Sequence, residues 1–152
     1  MKNLFFLLLV IALNSNASAQ NSIAVEETQI VRVINTFFAS LEKKDSLLMK
    51  QTILDDAQIW RKNNSAGSAK IDFRFSKEDL PSMHSMPDVM EIAKDFDVKI
   101  HKGIAMAWVP YEFWVEKKFS HCGVDVFTLF KTDDNWKIIS LAYTINKNDC
   151  DQ

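Results

Sequence analysis

Glycine, proline and cysteine are scarce: three, three and two in 152 residues. So few backbone breakers exclude a collagen-like or low-complexity chain, and a hydrophobic fraction of 47% excludes disorder. A basic excess is also missing, with 18 Lys and Arg against 20 Asp and Glu. Without clustered cations there is no field for nucleic acid. Gly67, Gly103 and Gly123 lie far apart, so no loop can cradle a phosphate through its backbone. The longest apolar run, Leu4 to Leu13, is ten residues, about half the ~20 that a membrane span needs.

That run has the layout of a secretory signal. Lys2 supplies the positive start, polar Asn14, Ser15 and Asn16 follow the apolar stretch, and Ala17-Ser18-Ala19 gives small-x-small ahead of Gln20. Cleavage after Ala19 is expected, leaving residues 20–152 as one exported domain, periplasmic or extracellular, with no membrane span. Both cysteines, Cys122 and Cys150, survive that cleavage. Two thiols in an exported chain more often pair than stay free, and a bridge would tie the C-terminal tail to the sheet. Two unpaired thiols are the alternative, since spacing alone does not give the Cα separation.

The first half of the domain reads as helical. Ile30, Val33, Ile34, Phe37, Phe38 and Leu41 recur at three- and four-residue steps, the stripe of an amphipathic helix from about Val25 to Lys43. Asp45 is placed to cap a second helix carrying Leu47, Leu48, Ile53 and Leu54. A short strand is expected over Ala57–Lys62, a loop over Asn63–Ser68, and a strand where Ile71, Phe73 and Phe75 alternate. Pro81 and Pro87 limit any helix that follows, and Met83, Met86 and Met90 there suit an irregular stretch of core. Strands follow at Phe96–His101, Ile104–Val115, Ser120–Phe130 and Trp136–Ile145, with a bulge expected at Pro110. Helices first and an antiparallel run afterwards give an α+β domain, helices packed on one face of the sheet.

Alternation sorts the sheet into two faces. One takes Ala105, Ala107, Val109, Tyr111, Phe113 and Val115. A tight hairpin adds Cys122, Val124, Val126, Thr128 and Phe130, and the last strand adds Ile139, Leu141, Tyr143 and Ile145. This nearly all-apolar set is expected beneath the helices. The opposite face would carry Trp108, Glu112, Trp114, His121, Asp125 and Phe127, a mixture suited to a subunit interface.

Three segments carry a resemblance: Ala105-Met106-Ala107-Trp108-Val109-Pro110-Tyr111-Glu112-Phe113, then Ser120-His121-Cys122-Gly123-Val124-Asp125-Val126-Phe127, then Trp136-Lys137-Ile138-Ile139, with Cys150 at the end. With the element order, they make the chain resemble the nuclear transport factor 2-like superfamily, and within it the lumazine-binding branch. That resemblance implies a cone-shaped (cystatin-like) fold, N-terminal helices over a curved antiparallel sheet with a pocket between them. It also implies a homodimer through the outer sheet face. It does not fix an activity, because one fold hosts many functions.

Tyr111, Phe113 and Tyr143 are the expected pocket wall and polar handle, and Trp60 is a further candidate for ligand contact. Trp108, Trp114, His121 and Asp125 are assigned to the interface. His121 and Asp125 would share a face about 13 Å apart, too far for an acid–base couple. No histidine–cysteine spacing suits a metal, and no catalytic residue or cofactor is expected. The resulting expectation is a non-catalytic binder of a small molecule. One alternative is an isomerase- or dehydratase-like enzyme with Tyr111 as donor, for which no acidic residue is found on the inner face. Another is an interaction module whose cone is filled by its own side chains.

Overall fold

The computed structural model describes residues 2–64, 69–133, 135–148 and 150, with side chains from residue 22 onward. Residues 65–68 of the expected loop lie outside what is described, as do the side chains around the expected cleavage point after Ala19. Among the described residues no helix is long and apolar enough to cross a membrane.

Helix α1 (Lys2–Lys43) buries the predicted stripe of Ile30, Val33, Ile34, Phe37 and Phe38, with Leu41 packed beside it. Lys44, at φ 54°, ends the helix in the left-handed region. Asp45 then caps α2 (Ser46–Lys50), accepting from the Leu47 and Leu48 amides at 3.0 and 2.9 Å. This second helix is shorter than expected. β-Branched Thr52 and Ile53 leave it, and the Thr52 carbonyl accepts from the amide of Ile138, so Ile53 and Leu54 already open strand β1 (Ile53–Asn63).

The remaining elements are β2 (Lys70–Phe75), α3 (Ser76–Asp79), a 3-10 turn over Leu80–Ser85, β3 (Val89–Ala93), β4 (Asp97–His101), β5 (Ile104–Val115), β6 (Lys118–Lys131) and β7 (Trp136–Ile145). Strand β3, in the proline-broken stretch, was not foreseen. Met83 there is core, as expected, whereas Met90 is exposed. The strand order is β2-β1-β7-β6-β5-β3, and β4 pairs with the other end of β5. Strand β1 runs parallel to β7 while every other pair is antiparallel, so the sheet is mixed rather than purely antiparallel.

Two bulges decide which side chains face the helices. β5 and β6 meet through Glu116-Lys117, both at positive φ (49° and 62°), as a two-residue hairpin requires. Val115 opposes Lys118 and Trp114 opposes Phe119, but Phe113 opposes His121, so Ser120 is an extra residue. An extra residue reverses the facing of everything beyond it. His121, Asp125 and Phe127 therefore turn inward, not outward as the unbulged register implies. Cys122, Val124, Val126, Thr128 and Phe130 take the outer face. Pro110 stays in register opposite Val124, so the expected bulge is displaced by three residues. The second bulge lies in β7: Thr128 opposes Ser140 and Leu129 opposes Ile138, leaving Ile139 extra. Ile138 and Trp136 are fully buried in consequence, and Leu141 remains inside. The core closes where the ring of Phe127 meets Phe37 and Phe38 edge-on, with centroids 5.9 Å from each.

Cys122 and Cys150 are bridged, with Cα atoms 5.8 Å apart. The bridge holds the tail beside β6, where the Cys122 and Asn146 backbones exchange hydrogen bonds of 3.0 and 2.9 Å.

Candidate binding cavity

Between α1 and the concave face of the sheet lies a cavity of about 280 Å³. Phe37 and Leu41 of α1, Ile59 of β1 and Leu141 of β7 give it an apolar wall. Polar groups enter as well, among them Asp79 of α3. Arg61 and Arg74 come from β1 and β2, Glu91 from β3, and His121 and Asp125 from β6.

Asp125 is 1% exposed. Its carboxyl is hydrogen-bonded to that of Glu91, while its Oδ2 has no hydrogen-bond partner. Two carboxyls can share a hydrogen bond only if a proton lies between them. Burial favours that state. It pushes Glu91 up to about 7, with the hydrogen bond to Asp125 pulling the other way. It also holds Asp125 well above the usual carboxylate range, helped by the charge of Glu91 and by their hydrogen bond.

The two arginines are engaged elsewhere. Arg61 makes a two-pronged pair with Asp72 at 3.1 and 2.8 Å, and Arg74 Nε reaches both oxygens of Asp79 at 2.6 and 2.8 Å. Tyr143 lines the cavity with Arg74. His121 stacks on Phe113 with centroids 4.8 Å apart, and its Nδ1 lies 3.0 Å from Ser120 Oγ. Burial, and then the charge of Lys147, hold its imidazole below the ordinary range, so it is neutral at pH 7.

Of the expected pocket residues, Tyr111, Phe113 and Tyr143 do line this cavity. Tyr111 contributes its ring only, because its hydroxyl donates to the Thr144 carbonyl at 2.7 Å. Burial, and then the charges of Asp125 and Glu91, hold that phenol far above its ordinary range. The ring lies over Gly123, where an added Cβ would sit 2.9 Å from Tyr111 Cε1 and 1.9 Å from the Thr144 oxygen. Glycine is required here by close approach.

Trp60 does not reach the cavity. In β1 the inward positions are Ile59 and Arg61, so Trp60 points outward, stacks on Phe73 at 4.7 Å and donates to Gln58 Oε1 at 3.0 Å. Trp108, 48% exposed, lies on the outer face as expected, and Trp114 packs edge-on against Phe119 at 5.6 Å. His121 and Asp125 leave the interface set, since the Ser120 bulge turns them inward.

The acidic residue found missing from the inner face is therefore present twice, as Asp125 and Glu91. Glu91 went unread because its five-residue strand follows Pro87. The alternation Val89-Glu91-Ala93 was the available signal.

No family model matches the sequence, and no curated protein matches it. Solved structures do. A Novosphingobium aromaticivorans NTF2-like protein with a cystatin-like fold aligns over 90% of this chain and 92% of its own, at 10% identity and a TM-score of 0.69. A Nostoc punctiforme protein of unknown function with a cystatin-like fold aligns over 82% and 94%, at 11% identity and a TM-score of 0.66. A Streptomyces avermitilis protein of the NTF2-like family, provisionally assigned as a dehydratase, aligns over 81% and 97%, at 14% identity and a TM-score of 0.63. At such low identity it is the backbone that is shared, and this chain has the NTF2-like, cystatin-like fold.

Proposed function

We propose that this chain is an exported, non-catalytic protein that binds one small, partly aromatic molecule in its cone. The observation carrying this reading is the cavity of about 280 Å³, walled largely by apolar side chains and lined by Asp125, whose buried Oδ2 has no partner. Protein pockets typically combine an apolar wall with a few convergent polar groups. A cavity of this size counts against a cone filled by its own side chains. A flat nitrogen heterocycle, as the lumazine-binding branch suggests, is one ligand of suitable shape.

The Cys122–Cys150 bridge supports an oxidising compartment. Homodimerisation belongs to the same reading. Phe73, Trp60, Ala142, Val126 and Trp108 are successive cross-strand neighbours on the outer face, a continuous apolar row that a second copy would cover.

A second reading, proton-transfer catalysis of the isomerase or dehydratase kind, is favoured by Asp125 and Glu91, whose raised affinity for protons suits acid–base work near neutral pH. Native mass spectrometry of protein purified from its own host tests the first reading. Retained small molecule and a dimeric mass are expected. A ligand-free protein that also binds no aromatic fragment better than an Ile59→Trp variant, in which the cavity is filled, would overturn it. Asp125-dependent exchange of a bound ketone's α-protons into deuterated water would favour the second.

A further inference from the structure

We propose that the cone takes a small organic cation, a protonated amine or amidinium on an apolar body, with its N–H groups on the carboxyls of Asp125 and Glu91. This rests on the binding reading above and names its ligand class.

Buried acids are ordinarily matched by a buried base. Here the charged groups facing the pair can be named element by element. Asp79 of α3 and Arg74 of β2 hold each other, and Arg61 of β1 holds Asp72. Tyr111 of β5 is bonded to the Thr144 carbonyl, Tyr143 of β7 brings no charge, and His121 of β6 is neutral. Helix α1 presents only Phe37 and Leu41 to the cavity. Among the described residues no cation forms an ion pair with either carboxyl.

An acid pair without a base, lining a cavity and with one buried oxygen unpartnered, fits a ligand that brings donors and positive charge together. The rings of Phe37, Phe113 and Tyr143 line the same space, and aromatic rings attract a cation. When such a ligand binds, the proton held between the carboxyls passes to solvent, because two N–H bonds and a positive charge replace it. Binding must therefore strengthen as the pH rises. A ligand offering a carbonyl or an anion would need the protonated pair and would show the opposite trend.

The probes are benzylammonium and its neutral counterpart benzyl alcohol, titrated calorimetrically at pH 6, 7 and 8 in phosphate and in Tris. Benzylammonium is expected to bind about tenfold more tightly for each pH unit gained across the pair's titration. The apparent enthalpy should differ between the buffers by the heat of taking up the released proton. Asp125→Asn, checked for folding by its thermal transition, should weaken the amine at least tenfold and leave the alcohol within threefold. Glu91→Gln, as a second variant, should do the same.

Alcohol bound as tightly as amine at pH 8, amine affinity falling with pH, or amine binding unchanged in both folded variants would overturn the proposal. Binding of the alcohol alone removes the cation and leaves the cavity's role standing. Binding of neither removes both.

Discussion

Raising the pH from 5 to 8 should destabilise this protein, and Glu91→Gln should relieve the loss. The Glu91 carboxyl, ordinarily at 4.5, is pushed up to about 7 by burial. An acid that holds its proton more tightly folded than unfolded loses stability as the pH climbs between those two values. At about 1.4 kcal/mol per pH unit the loss comes to about 3 kcal/mol by pH 8. Asp125, raised by burial and by Glu91, acts in the same sense. His121 acts in the opposite sense. Its imidazole is held down by burial and by Lys147, so its contribution rises with pH up to its ordinary 6.5. Comparing parent with variant cancels that term, because both retain His121. Asp72, Asp88 and Glu112, lowered by hydrogen bonds to Arg61, Lys44 and Lys94, titrate below the window. Urea unfolding followed by tryptophan fluorescence at pH 5, 6.5 and 8 is the assay. Glu91→Gln removes the titrating carboxyl and keeps a donor for Asp125, so the two proteins should be about equally stable at pH 5. At pH 8 the variant should be more stable by about 3 kcal/mol, or about 10 °C in Tm for a chain of this size. A pH-independent difference, or a variant weaker at pH 8, would refute the reasoning.

Gly123→Ala should abolish cooperative unfolding and the near-UV circular dichroism signal, since its Cβ would lie 1.9 Å from a backbone oxygen. Such an overlap costs more than about 4 kcal/mol. Phe127→Ala should cost about 3–5 kcal/mol in urea unfolding and Val126→Ala about 1 or less. The reverse ranking would restore the unbulged register of β6. Reduction of Cys122–Cys150, which closes a separation of 28 residues, should remove about 3–4 kcal/mol, read as a lower urea midpoint in dithiothreitol.

The helix stripe, the Asp45 cap and strands β5 and β7 were legible because period and punctuation agree in those segments. The facing of β6 was not. Ser120 has nothing in its chemistry to mark a bulge, and both faces of β6 are apolar enough to be core: Val124 and Val126 on one, Phe127 and Leu129 on the other. Alternation cannot choose between two such faces, whereas packing can, because the rings of Phe37 and Phe38 meet Phe127. That single choice of face carried Asp125 from an interface rim to the floor of the cavity. The outward turn of Trp60 follows from the same logic, since Ile59 and Arg61 hold the inward positions of β1.

The last strand of the chain is also a central one. Residues 136–145 lie between β1 and β6, so before they are made the β2–β1 hairpin and the β6–β5 assembly share no ladder. A nascent chain stalled ahead of Trp136 holds two half-sheets, each with an open edge, and Trp136, Ile138 and Leu141 are absent from the core. Completion of the sheet must wait until residues 136–145 have been made and released to pair with both halves.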